Sequence, residues 1–242
     1  WLSGGNDDLR GGDGLDTLRY DGTLGLTIDL GATGAQTTAL GSLTLSSVES
    51  ARLMGTGAMT ITGSSDANII YTGSGDDWIS SGDGNDRIMS GDGGGYINAG
   101  SGHDVVYAGT EILSDIRFSA ADHEIWLGAG DDQVFTGVGD DIVYGEAGDD
   151  DFTGYGGNNV FYGGDGTDFG NFGDGDDWAD LGDGEGRQVF LGGGGDDYAR
   201  VGSGGYAAMA GAAGDDELHG GDGDDRLIGD DVYDVWDLQG AD

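Results

Sequence analysis

The residue that could do chemistry here is an aspartate that returns at a fixed place. Counted in units of nine, Asp fills the sixth position at Asp77, Asp86, Asp104, Asp132, Asp141, Asp150, Asp168, Asp177, Asp197, Asp216 and Asp225, and earlier at Asp7 and Asp16. Each follows a glycine-rich turn, as in Gly82-Asp83-Gly84-Asn85-Asp86. A carboxylate next to carbonyls freed by such a turn makes an all-oxygen donor set, which suits a hard cation. Calcium fits best, because it accepts about six to eight oxygens in flexible geometry while magnesium demands a strict octahedron. The turn glycines counted with this ligand set are Gly82, Gly84, Gly128, Gly130, Gly137, Gly139 and Gly148.

The elements that must position these carboxylates follow from the rest of the unit, Gly-Gly-x-Gly-x-Asp-x-U-x, where U is large and apolar. Glycines permit positive φ and tight turning. The last three residues are a minimal strand in which U points inward and its neighbours point outward. Clean copies are Gly11 to Arg19, Ser81 to Met89 and Gly220 to Ile228. A fixed period over most of a chain is a stronger signal than any single motif.

The unit resembles the RTX calcium-binding nonapeptide repeat, over residues 3–19 and 63–228. The resemblance implies an all-β, right-handed parallel β-roll in which each nonapeptide makes half a coil. It also implies several calcium ions between loops stacked on one edge, and type I export of a bacterial protein to the outside or the cell surface.

Composition alone points elsewhere. The chain has 242 residues, 56 glycines, no proline, no cysteine and a net charge of −39. Such values suggest disorder, but apolar residues recur at one position, so a core forms once the charge is neutralised. We expect a fold that depends on the ion. Missing cysteine fits an extracellular calcium-built protein and a cytosolic one alike. The acidity argues against nucleic-acid partners. No secretory signal or membrane-spanning run is visible, and Trp1 in place of an initiator Met points to a processed chain or a fragment.

Four segments are expected. Residues 1–19 hold the first units. Residues 20–62 lose the period and read as strands of a calcium-free β-helical insertion, with a small separate β-domain as the alternative. Residues 63–228 form the main roll, and 229–242 a cap or a lead into further residues. Within the roll, the unit from Ala108 is expected to hold one extra residue, Leu181 and Gly182 to be inserted, and Ala210 to be inserted. The sixth position departs from Asp at Asn68, Gly95, His123, Asn159, Gln188 and Tyr206. Metal occupancy is in question beside those units. The core position runs from Ile79 to Phe161 and then shrinks to Gly170, Ala179, Ala199 and Ala208, which suggests that 163–209 leans most on metal.

Alternate units fall on alternate sheets, so residues eighteen apart stack. This register places Tyr71, Met89, Tyr107, Trp126, Tyr144 and Tyr162 in one outward row, with Ile142 and Val160 beside it. Three readings stand: a stacking ladder, a docking face for a second copy or another extracellular protein, and a polysaccharide platform.

No catalytic constellation emerges. His123-Glu124-Ile125-Trp126-Leu127 lacks the second His of a zinc protease helix, and the recurring Asp-Asp pairs read as structural ligands. We therefore expect no enzyme, and an extracellular calcium-binding protein of surface-layer, sheath, matrix or adhesin type. The alternative is the calcium-binding region of a larger secreted enzyme or toxin.

Overall fold

Short strands separated by glycine turns stack into two parallel sheets facing each other across a thin core. In the computed structural model, residues 2–112, 115–118, 120–203 and 205–229 are described; most of the expected cap, 229–242, lies outside them. Among these residues every regular element is a strand, and no helix is long and apolar enough to cross a membrane. The eleven-stranded sheet runs from Thr17–Tyr20 to Arg226–Ile228, and the ten-stranded sheet from Thr27–Asp29 to Glu217–His219. Pairing within these two sheets is parallel with partners most often eighteen apart, such as Arg87 with Val105 and Val143 with Phe161. The expected all-β parallel solenoid is what the chain forms.

Many turns bring coil backbones into contact, which leaves no space for a Cβ. At Gly130, φ is +139°, and an added Cβ would collide with the Gly102 carbonyl one coil away.

Residues 20–62 supply strands to the same two sheets, Thr27–Asp29 and Thr60–Ser64 to one and Ser50–Leu53 to the other. A separate three-stranded sheet pairs Gly41–Ser46 parallel with Asp7–Arg10 and antiparallel with Gln36–Thr38.

Three register expectations are corrected. The segment from Ala108 is not a roll unit with one extra residue. Gly109–Ile112 and Asp115–Phe118 pair antiparallel as a hairpin. The roll closes beneath it: Ile97 pairs with Ile125 and Val106 with Val134, each 28 residues on. A whole half-coil has left the stack, so everything after it lies on the sheet opposite to the expected one.

The second correction lies near residue 206. Gln188 pairs with Ala207 and Phe190 with Met209, so the extra residue precedes the strand and is not Ala210. Met209 faces the core where Ala208 was expected, and Ala207 holds the sixth position instead of Tyr206.

The core does not thin out as expected either. Besides the U position, the first residue of many units points inward, and Leu127, Phe172 and Leu181 there are fully buried. Leu181 and Gly182 are therefore not inserted, the third register correction: Gly184 still stacks on Gly166 while Gln188 meets Asp168, so the two extra residues lie between Gly184 and Gln188. Phe172 fills the space left by Gly170: a Cβ on Gly170 would meet Phe172 Cε2 at 2.5 Å. Its ring packs against Phe152, Phe161 and Phe190 at centroid distances of 4.8, 6.3 and 4.9 Å. We expect Phe172→Ala to destabilise the calcium-loaded roll by ~3–5 kcal/mol, the usual cost of such a cavity, measured by thermal unfolding. A change within experimental scatter would remove Phe172 from the core.

Candidate metal centre

The sixth-position residues form two vertical rails, one along each edge of the roll. On the first rail, the backbone N–H of Asn68 donates to Asp86 Oδ1 at 2.7 Å, Asp86 to Asp104 at 2.7 Å, and Asp104 to Asp132 at 2.6 Å. Asp132 then donates to Asp150 and Asp150 to Asp168, both at 3.0 Å, and Asp168 to Gln188 Oε1 at 2.6 Å. On the second rail Met59 donates to Asp77 at 2.7 Å, Asp141 to Asn159 at 3.1 Å, and Asn159 to Asp177 at 2.7 Å. The series continues from Asp177 to Asp197 and from Asp197 to Asp216 at 2.9 and 3.0 Å. Each carboxylate in these series thus spends Oδ1 on the preceding coil's amide.

The other oxygen has nothing. Oδ2 of Asp16, Asp77, Asp86, Asp104, Asp132, Asp141, Asp150, Asp168, Asp177, Asp197 and Asp216 is buried without a hydrogen-bond partner. Asp7 and Asp225 are half-buried, as Asp16 and Asp216 are, but neither carries a buried Oδ2 without a partner. A buried, unpaired carboxylate is costly, and these lie one coil apart with like charge. Burial pushes Asp150 up to about 8, Asp104, Asp168 and Asp177 to about 7, and Asp132 and Asp197 to about 6. Asp77 and Asp86 are raised for the same reason.

Eleven orphaned anionic oxygens in line fit a hard cation. Among the described residues no three acidic, His or Cys side chains converge on one point, so an ion here must draw on backbone carbonyls as well. Glycine at the first position keeps room beside the orphan: a Cβ on Gly145, Gly163 or Gly192 would strike Oδ2 of Asp150, Asp168 or Asp197. Of the turn glycines counted with the ligands, Gly82, Gly84, Gly128, Gly130 and Gly148 have positive φ. Gly139 is closed off by the Ala121 carbonyl, and the Gly137 carbonyl already accepts from Tyr155 N at 3.2 Å.

The departures from Asp now have a physical reading. Asn68, Asn159 and Gln188 keep the acceptor that the neighbouring coil's amide needs but carry no charge. Gly95 and Ala207 supply neither. At His123 the ring is fully buried, with Nδ1 3.0 Å from Asp141 Oδ1 and Nε2 3.0 Å from the Gly93 carbonyl. It bridges the gap left by Gly95.

Two groups escape sequence reasoning. Glu49 sits on the first rail, its Oε2 accepting from Asp16 N at 3.0 Å and its carbonyl from Ile69 N at 3.2 Å. The signal was the register: Ser50 pairs with both Thr17 and Ile69. The fifth position, an x in the unit, forms an exposed outer rail. Asp131 Oδ1 accepts from Asp149 N at 3.0 Å, and Asp149 Oδ1 from Thr167 N at 2.9 Å.

The expected outward row is split by the hairpin. Tyr71, Met89 and Tyr107 stand on the eleven-stranded sheet and continue to Phe135, and Met89 is 2 % exposed, too covered to dock anything. Trp126, Tyr144 and Tyr162 stand on the ten-stranded sheet, with Ile142 and Val160 one position over. There they join a longer ladder. Trp78, Tyr96, Trp126, Tyr144, Tyr162 and Trp178 follow one another at centroid distances of 4.5 to 5.0 Å, and Tyr198 and His219 extend it at 5.9 and 5.5 Å. The ladder shifts between the seventh and ninth positions, so no single row reveals it. Its rings cover one another's faces, which leaves little face for a sugar to stack on.

The raised carboxyls set a pH dependence. In the metal-free roll they favour the protonated form, so their stabilising effect is complete below the unfolded value near 3.8 and is lost as pH rises through about 6 to 8. We expect metal-free circular dichroism to show most β-structure near pH 4 and least near pH 8, and calcium to flatten the profile. A metal-free β-signal that grows from pH 4 to 8 would contradict this.

A family pattern described as the RTX calcium-binding nonapeptide repeat matches residues 1–21, 62–97, 96–110, 126–160, 144–179 and 209–235. No curated protein matches the chain. The matched segments cover more than half of the sequence and bracket both rails. The calcium implied by that description is the ion the orphaned oxygens call for, and the chain belongs to the RTX calcium-binding repeat family.

Proposed function

We propose that this chain is a non-catalytic structural or interaction element of a bacterial exterior. It folds on meeting calcium and then presents a rigid roll to a partner. One observation carries the reading: two rails of buried carboxylates, with eleven oxygens that have no partner in the protein and that a hard cation would satisfy. Without ions the chain must hold a formal charge of −39, so self-repulsion keeps it open at low calcium. Extracellular calcium modules work at about 10⁻⁴–10⁻³ M, which ties folding to leaving the cell. RTX proteins are typically secreted by type I systems, in keeping with this order of events. The Asp-Asp pairs serve the inner and outer rails, which argues against acid–base dyads.

The docking face we assign is the ten-stranded sheet. Its aromatic ladder is flanked by Ile142, and Trp78 and Tyr162 are 57 % and 38 % exposed. Exposed aromatics are common anchors of association, and a second copy of the chain is the partner we propose.

In chelator, circular dichroism is expected to show little β-structure at pH 8, with a cooperative gain on adding calcium. Asp150→Asn keeps the acceptor for Asp132 N and loses the charge, so its calcium midpoint is expected to rise several-fold. Asp149→Asn, on the exposed outer rail, is expected to move it far less. Equal shifts would show that the inner rail has no special claim on the ion. For docking, Trp126→Ser with Tyr144→Ser is expected to abolish calcium-dependent association in light scattering. A wild type that stays monomeric at high concentration, and so matches the variant, would leave the ladder only a stabilising role.

A further inference from the structure

On a chain with 47 acidic and 8 basic residues, one stretch of surface runs the other way. The strands Thr17–Tyr20, Ser50–Leu53, Ile69–Thr72, Arg87–Met89 and Val105–Tyr107 are consecutive in the eleven-stranded sheet. Their outward positions hold Arg19, Arg52 and Arg87 and no acid at all. Arg19 and Arg52 are direct partners in the parallel register, which places like charges on strands about 4.8 Å apart. Like charges directly opposite are destabilising.

Other described arginines have found company. Arg10 pairs with Asp8 at 2.9 Å and Arg200 with Asp180, while Arg87 lies 5.0 Å over the Tyr107 ring and Arg187 5.8 Å over Tyr206. Among the described residues, no ion pair, ring contact or side-chain hydrogen bond engages the guanidinium of Arg19 or Arg52. The acids nearest in sequence are otherwise placed: Glu49 accepts from Asp16 N, and Asp16 Oδ2 is buried on the rail. Asp21 follows the strand end.

The two arginines line a depression of about 420 Å³ together with Leu15, Ile69 and Tyr71. That size suits a small ligand or one or two sugar rings rather than a protein. We propose that this depression binds a saccharide unit carrying an oxyanion, a carboxylate or a sulfate ester. Paired guanidinium forks match the planar or tetrahedral oxyanion through several charge-assisted hydrogen bonds. Leu15, exposed at 61 %, and the Tyr71 ring offer apolar contact to the sugar body. The bound anion relieves the repulsion between Arg19 and Arg52. Elsewhere the acidic surface repels the same polymer, so one stretch of the roll is selected. Calcium on the rails lowers that repulsion, which makes binding a property of the folded, loaded protein.

The test is isothermal calorimetry on the calcium-loaded chain at low ionic strength, with trigalacturonate, a sulfated disaccharide and fully methyl-esterified trigalacturonate as probes. Circular dichroism on the same samples reports folding separately, so a failed calcium fold is distinguished from a failed site. We expect at least one oxyanion probe to bind, the methyl ester not to, and binding to weaken as salt is raised. Which acidic probe binds identifies the source of the oxyanion. Arg19→Gln with Arg52→Gln is expected to weaken binding about tenfold or more without loss of fold, because it removes a like-charge pair. Arg200→Gln, on the other sheet, is expected to change nothing. No binding of either acidic probe, equal binding of the methyl ester, or full affinity in the folded double variant would each overturn the proposal.

Discussion

Everything in this roll depends on carboxylates stacked in register at one coil spacing. The stacking makes the fold regular, because each Oδ1 ties an amide of the neighbouring coil. It also makes the metal-free fold unstable, because the orphaned Oδ2 atoms are buried with no partner and several, such as those of Asp104, Asp132 and Asp150, face like charge above and below. One residue type at one position therefore supplies both the bond that builds the solenoid and the charge that opposes it. A hard cation separates the two effects by answering the second without disturbing the first.

The rails show that these roles are separable. Asn68, Asn159 and Gln188 keep the coil-to-coil bond and drop the charge, so the solenoid continues where the ligand set is poorer. Glu49 carries both functions on a longer side chain, at the join between the first units and the main roll. His123 spans from Asp141 to Gly93 where Gly95 leaves a gap.

The solenoid and the position of its inner rail were legible in the sequence, because Asp and U recur with a period that survives substitution. What was not legible has a common physical cause: a period says where a unit is, not whether the chain uses it. The ten residues after Tyr107 kept near-correct spacing yet left the roll as a hairpin, which transferred Trp126 and Tyr144 to the other sheet. The aromatic ladder crosses between two outward positions, as Tyr96 meets Trp126 diagonally, and no fixed-position count finds it. Gly170 looked like a thinning core because Phe172, two residues on, turns inward to fill its space. Glu49 was hidden by the interruption of the period, although its place relative to Asn68 marks it once the strands are paired.

The most direct measurement is the anomalous scattering of calcium in crystals of the chain grown with the ion. The account predicts two rows of peaks, one along each edge of the roll, spaced by about one coil. Those near Asp104, Asp132, Asp150 and Asp168 would lie about 2.3–2.6 Å from Oδ2. A map of the folded roll with no peaks along the rails, or with peaks confined to the exposed outer carboxylates, would contradict it.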